Sequence, residues 1–348
     1  MPGLPDAPVA VDEAAVRGRR RFPGTDSYVL RRVLASVGTL AFVLVFNFFL
    51  FRILPGDPAK NLTRNRQIPQ EQVDALRESF GLDQPLAGQF LAYLRNLVTG
   101  ELGISYKFRQ PVFEVIADRI WPTLLLVGTG TLIATVVGLR LGIRSGWNRG
   151  GRFDKVTTGT TLTLYSMPEF WLGLMLLALF SVGVGVFPGI FPTGGLRSPG
   201  VEPGSLEGVL DLLWHLALPV ATLALAYLAE YTLVMRSSLI DEIGEDYLTT
   251  ARAKGLPDAE VRRRHAVPNA LLPTTTLIAL NLGFVVSGAI TIETVFSIPG
   301  LGLLTYEALR VPDFPLLQGL FLVFSVGVIA ANLAADLIYG RLDPRVRG

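Results

Sequence analysis

Few side chains in this sequence can do covalent chemistry. There are two histidines, His215 and His265, on separate segments, and no cysteine. That leaves no ligand set for zinc and no thiolate nucleophile. No Gly-x-Ser-x-Gly nucleophile turn occurs. A phosphate-binding loop needs Gly-Lys followed by Ser or Thr, and none of the lysines (Lys60, Lys107, Lys155, Lys254) follows a glycine or precedes Ser or Thr. Polar chemistry of two kinds remains. One is a set of polar residues inside long apolar runs: Asn47, Glu169, His215, Glu230, Asn281, Ser287, Thr291, Glu293, Asn332 and Asp336. Within a bilayer such residues either line a route for polar solutes or hydrogen-bond one helix to another. The other is the stretch from Asp246 to Pro268, DYLTTARAKGLPDAEVRRRHAVP, polar and basic between two apolar runs.

The elements that must position these residues are membrane spans. Half of the 348 residues are hydrophobic and the mean hydropathy is +0.45, above the range of soluble domains. Six runs come near the ~20 residues that a bilayer core requires: Val33–Leu54, Ile120–Ile143, Thr158–Phe187, Leu212–Met235, Ala270–Phe296 and Leu316–Tyr339. The third is long enough to tilt, and Pro168, just before Glu169, marks a break in it. Arginines cluster before the first run, between the second and third, between the fourth and fifth, and after the sixth. These are alternate connections, so the positive-inside rule puts them, and both termini, in the cytoplasm. A net charge of +2 gives no case for nucleic acid. Residues 1–30, with Pro, Gly and the Arg19–Arg21 run, read as disordered. The apolar run that follows (31–54) is too long for a cleaved signal and reads as a first span.

Residues 55–118 form the largest segment on the outer side. Helices are expected over Pro69–Phe80 and Gln84–Val98, the second with Leu86, Phe90, Leu94 and Leu97 on one face. This segment is either an amphipathic cap on the membrane or a platform for another protein. Residues 119–340 make the membrane core, with a cytoplasmic loop at 236–269 and a tail at 341–348.

The loop reads as a helix, a glycine turn and a second short helix. Ala251, Ala253 and Lys254 favour the first helix, and Asp241, Glu242, Glu245 and Asp246 suit its N-terminus. Gly255 suits a left-handed position at its end. Pro257 fits the first turn of the next helix, and Pro268 is expected to end it. The residues resemble the signature loop of ABC-importer permeases: Glu-Ala-Ala, three residues, Gly, nine residues, Ile-x-Leu-Pro. Anchored on Gly255, the spacing reaches His265, and His-Ala-Val-Pro runs through Pro268. Thr249-Thr250-Ala251 falls on Glu-Ala-Ala, so the Glu and the Ile are absent here. TARAKGL followed by RHAVPNALLP is similar to the dipeptide/oligopeptide-type B subunits. Further segments resemble the same family in order: Phe51–Ala59, Leu82–Pro85, Gly100–Ser105, Phe191–Gly195, Glu293–Gly302, Asp313–Pro315 and Gln318-Gly319.

The resemblance implies an all-α polytopic protein of the type I ABC-importer permease fold, with about six spans and a small helical extracytoplasmic domain. It implies that Asp246, Tyr247, Thr250, Ala251, Lys254, Gly255, Arg262, Arg263, Arg264, His265 and Pro268 meet a cytoplasmic ATPase. Positive-inside bias and lipid phosphates account equally well for any single arginine of that set. Glu169, Asn281, Ser287, Thr291 and Glu293 become candidates for a translocation path, span five lining the passage in this family. Implied partners are a homologous second permease, two ATPase subunits or domains, an extracytoplasmic solute-binding protein and membrane lipid. ATP and Mg would sit on the ATPases, with no cofactor in this chain. Implied cargo is di- or oligopeptides, with glutathione, nickel chelates and oligosaccharides as alternatives. An ion-coupled secondary transporter is the rival; it would show internal repeats, and none is evident. A membrane enzyme or scaffold ranks lower, for want of a catalytic cluster.

Overall fold

In hydrocarbon the backbone finds no water to bond, so a chain this apolar satisfies its polar groups within helices. A computed structural model describes residues 25–53, 84–184, 187–285 and 290–342. Helix α1 is Thr25–Ile53, α2 Leu86–Thr99, α3 Val112–Trp147, α4 Arg152–Tyr165 and α5 Glu169–Leu177, prolonged by a π-turn at Ala178–Val182. Then come α6 (Leu206–Ile243), α7 (Asp246–Ala253), α8 (Asp258–Val261) with a π-turn at Arg262–Ala266, and α9 (Val267–Val285). Last are α10 (Ile290–Val295), α11 (Leu301–Arg310) and α12 (Phe314–Leu342). The described strands are two residues each, β1 (Gly183–Val184) and β2 (Phe187–Pro188), paired antiparallel.

Among the described residues four helices are long and apolar enough to cross a membrane: Val29–Arg52 of α1, α3, α6, and Phe314–Ala334 of α12. About six spans were expected, and the differences have local causes. The third is not one tilted helix. It is α4 and α5, bent by 99° at the proline the sequence marked, because Pro168 is extended (φ −60°, ψ 136°) and forces the residue before it out of the helical region. The fifth is represented by α9, whose 19 residues reach about 28 Å at ~1.5 Å per residue, just under the ~30 Å hydrocarbon core. α1 starts at Thr25, so residues 25–30 are helical rather than disordered. α3 starts at Val112, taking up the end of the segment expected outside. α2 lies where the second outer helix was expected. The expected helix Pro69–Phe80, residues 1–24 and residues 343–348 lie outside the described residues.

The centre of the molecule is α3 packed along α6. Gly130, Ala134, Gly138, Gly142 and Gly146 recur every fourth residue on α3, all of them buried. A methyl group placed on Gly142 would lie 2.7 Å from Met235 Cβ and 2.8 Å from the Thr232 carbonyl oxygen; on Gly146, 3.0 Å from the Arg236 carbonyl oxygen. Thr232 Oγ1 donates to the Gly138 carbonyl at 3.3 Å across the same seam. Lipid tails are as apolar as leucine, so helices in a bilayer associate by such close packing and by interhelical hydrogen bonds. Gly142→Leu should therefore lower thermal stability in detergent, by ~1–3 kcal/mol for an overpacked seam. Gly128→Ala, with open space around the added methyl, should not. Equal melting temperatures for the two variants would contradict the seam.

Candidate coupling loop and membrane path

At 36 and 38 residues, α3 and α6 run about 54 and 57 Å at ~1.5 Å per residue, well past a ~30 Å core. The overhang of α6 carries the loop. α7 closes in a Schellman motif: the Gly255 N–H donates to the Arg252 carbonyl at 2.9 Å and the Leu256 N–H to the Ala251 carbonyl at 3.4 Å. That closure needs a left-handed residue, and Gly255 has φ +82°. Nothing lies within 4 Å of a methyl added to Gly255, so within this chain glycine is required there for its φ and not for space. Pro257 stands just before α8 as its N-cap.

Pro268 does not end the second helix. α8, the π-turn and α9 run on continuously, with Pro268 the second residue of α9. Proline offers no N–H to the Arg264 carbonyl and its ring would crowd that oxygen. The wide turn just before it, closed by the Val267 N–H on the Arg262 carbonyl, opens the helix where the ring must fit.

The loop's residues divide by exposure. Leu248, Ala251, Val261 and Ala266 are buried in one cluster with Met235, Leu239 and Ala270. Ala251 thus faces its own chain, where its small size serves packing inside the loop. Asp246, Thr250, Lys254, Gly255, Arg263, Arg264 and Pro268 are exposed, while Tyr247, Arg262 and His265 are half-buried. Arg252 and Arg262 lie 5.9 and 5.8 Å from the centre of the Trp147 ring. Arg252 also pairs with Asp258 at 3.1 Å and Arg264 with Glu260 at 2.9 Å. Among the described residues Lys254 and Arg263 make no ion pair. The Tyr247 hydroxyl donates to the Glu242 carboxylate and accepts from Asn269 Nδ2 at 2.9 Å. Burial, partly offset by the bond from Asn269, pushes that hydroxyl's pKa up, so it stays a donor. The start of the loop is thereby tied to α9.

A buried ion pair braces the base of the loop. Arg236 of α6 meets Asp154 of α4 through Nε on Oδ1 at 2.6 Å and Nη2 on Oδ2 at 2.9 Å. Asp154 also accepts from Ser145 Oγ (2.5 Å), the Gly150 N–H (2.8 Å) and Thr158 Oγ1 (3.2 Å). In the sequence neither Asp154 nor Arg236 stands out. The sole local signal was an aspartate just after the Gly150-Gly151 turn.

Among the described candidate path residues, Glu169 and Asn281 come near one carboxylate, Glu230 of α6, while Glu293 belongs to a separate buried network. Asn281 of α9 donates to Tyr231 Oη at 3.1 Å and to Glu230 Oε2 at 3.4 Å, both on α6, so it joins two helices. Glu169 is half-buried at the start of α5 and Thr291 is exposed on α10. Ser287 lies outside the described residues. Glu293, expected to line a path, is fully buried. Its Oε1 accepts from Thr123 Oγ1 at 2.7 Å, and its Oε2 accepts the N–H groups of Gly302 (2.7 Å) and Leu303 (3.0 Å). Thr123 in turn accepts the Leu301 N–H at 2.8 Å. The first turn of α11 presents those N–H groups to the interior, and the carboxylate satisfies them.

Segments far apart in the chain also meet. The Gly195 N–H donates to the Phe296 carbonyl at 2.9 Å. Ser105 Oγ donates to Asp313 Oδ2 at 2.5 Å, while Asp313 Oδ1 accepts the Leu316 N–H at the start of α12 at 3.3 Å.

Long apolar helices and a basic loop packed as one body with two of them define a multi-pass membrane protein. The comparisons agree. The chain belongs to the family of binding-protein-dependent transport system inner membrane components: that family's model matches residues 135–348, and the model for the N-terminal part of such membrane components matches residues 26–127. It is a multi-pass protein of the cytoplasmic membrane and a permease subunit of the ABC-importer class. It is 39% identical over 322 residues to a putative peptide permease protein of Brucella suis, covering 92% of this chain and 98% of that one. It is 37% identical over 333 residues to the dipeptide transport system permease protein DppB of Escherichia coli, with 92% and 98% covered. The glutathione transport system permease protein GsiC of Escherichia coli is 36% identical over 322 residues, with 92% and 99% covered. Among solved structures, an inward-facing MetNI methionine ABC transporter shares the fold, with a TM-score of 0.52 and 16% identity over 66% of this chain and 96% of that one.

Proposed function

We propose that this chain forms half of the translocation path of an importer for di- or oligopeptides, and that the α7–α8 loop is where a cytoplasmic ATPase drives it. One observation carries the mechanical part: the buried face of the loop and the ends of α6 and α9 are a single packed cluster. An ATPase pair that closes around ATP would displace α7 and α8. Leu248 and Val261 cannot move without Met235, Leu239 and Ala270, so α6 and α9 follow as rigid bodies. The Asp154–Arg236 pair hands the same motion to α4. The exposed charges Lys254 and Arg263 suit acidic groups on the ATPase.

On this reading the loop and both termini are cytoplasmic, as the alternate basic connections imply. The partners are a homologous second permease, two ATPase subunits and an external binding protein, with ATP and Mg held by the ATPases. Peptide cargo is supported by the names of the relatives. Glutathione, itself a peptide, is the alternative that one of them supplies.

The tagged chain, drawn from its native membrane in mild detergent, should bring down a P-loop ATPase and a second permease. Cells carrying the full set should take up a labelled dipeptide, and unlabelled peptides should compete. Recovery of the chain alone, under conditions that hold a known transporter complex together, would favour an ion-coupled transporter instead.

A further inference from the structure

At the end of the molecule away from the coupling loop, a cavity of about 410 Å³ opens between the end of α1, α2, the turn after α2 and the start of α12. That volume is in the range of small-molecule sites, ~300–1,000 Å³. We propose that it holds the headgroup of a zwitterionic phospholipid of the phosphatidylethanolamine type.

The lining is of two kinds. Phe48 and Leu322 belong to the bilayer-crossing parts of α1 and α12. Arg52 is in the last turn of α1, and Glu101 follows the end of α2. The lining thus joins apolar side chains to two charged ones, Arg52 and Glu101. An amphiphile fits both kinds; a free phosphate ester would leave the apolar side chains uncovered.

The charges select the headgroup. Arg52 and Glu101 line one cavity, yet they form no ion pair with each other or with any other described residue. The Arg52 guanidinium lies 5.4 Å from the centre of the Phe48 ring. The N–H fork of a guanidinium is the geometry that a phosphodiester matches best. Glu101 lines the same cavity, and a carboxylate there repels a purely anionic lipid but accepts an ammonium. A headgroup carrying both charges would pair with both residues.

The wall is built in advance. Asn47, fully buried on α1, donates to Tyr93 Oη at 3.2 Å and to the Gln318 carbonyl at 3.3 Å, and so fixes two of the lining residues. Its own Oδ1 is buried and accepts no hydrogen bond.

The test uses the full chain with its co-purifying subunits, reconstituted in mixed phosphatidylethanolamine and phosphatidylglycerol and then stripped in detergent. Retained lipid is counted by native mass spectrometry. Phosphatidylethanolamine should stay in stoichiometric amount. Arg52→Ala and Glu101→Gln should each cut retention about tenfold, the worth of one charge-assisted contact, and Arg52→Lys should restore part of it. Both positions are exposed, and unchanged melting temperatures would show that the variants fold. Wild-type retention in both alanine and glutamine variants would overturn the proposal. So would equal retention of phosphatidylglycerol. Displacement of the lipid by glycerophosphoethanolamine at the same concentration would reduce the ligand to a soluble phosphate ester. Displacement by a soluble dipeptide would make the cavity a peptide site.

Discussion

Asp154→Ala is expected to lower the amount of folded protein in the membrane several-fold. The carboxylate is buried and accepts four kinds of donor: the Arg236 fork, a serine hydroxyl, a threonine hydroxyl and a backbone N–H. Removing it leaves the Arg236 cation, only 23% exposed, with no counter-charge. Breaking a buried pair from one side costs ~3–5 kcal/mol, against a total stability of ~5–15 kcal/mol for an ordinary domain. Asp154→Asn keeps the shape and part of the bonding and should fall between. The double variant Asp154→Leu with Arg236→Met should regain much of the loss, because the main cost of the single change is the orphaned charge rather than the missing contact. Membrane-fraction yield and melting temperature in detergent read all three. A double variant no better than Asp154→Ala would mean that the hydrogen bonds to Ser145 and Gly150, and not the charge balance, hold α4 in place.

This pair also shows what the sequence could and could not disclose. Asp154 and Arg236 stand 82 positions apart, and Glu293 and Thr123 stand 170 apart. Each looks ordinary in its own neighbourhood, so only the fold reveals that they meet. Elements set by local physics were readable. The spans follow from apolar length, the break before Glu169 from Pro168, and the end of α7 from Gly255. Pro268 misled because a single proline has two outcomes in a helix: it can stop the helix, or a wide turn can absorb it, and the choice rests on packing at Ala266 and Ala270. Ala251 is ambiguous in sequence because a small residue on a short helix looks the same whether a partner or the chain's own core demands it. The α3 stripe from Gly130 to Gly146 was legible in principle, since a four-residue period of small residues is a known mark of close helix contact. The sequence has 36 glycines, so the stripe does not stand out among them.

Gly255→Val should leave the protein in the membrane and abolish most transport. Two observations separate those outcomes. The added side chain meets open space, so neither the core nor the α3–α6 seam is disturbed. Yet φ at this position is +82°, which costs a non-glycine residue roughly 1–2 kcal/mol, and a β-branched one the most. The chain can relieve that strain only by opening the two hydrogen bonds that close α7, which shifts the exposed edge carrying Lys254. On the proposed mechanism a displaced edge docks badly, so ATP is hydrolysed without moving α6 and α9, and uptake falls by about tenfold or more. Gly255→Asn is the decisive companion, because asparagine tolerates the left-handed region while adding comparable bulk. If backbone geometry matters, Asn should keep most of the transport that Val loses. If close approach of a partner matters instead, Asn and Val should fail alike, and glycine would be needed to leave room for the ATPase. Labelled-dipeptide uptake in cells, with ATP hydrolysis measured in proteoliposomes of the same variants, distinguishes the two. Wild-type coupled transport in both would remove the loop from the mechanism.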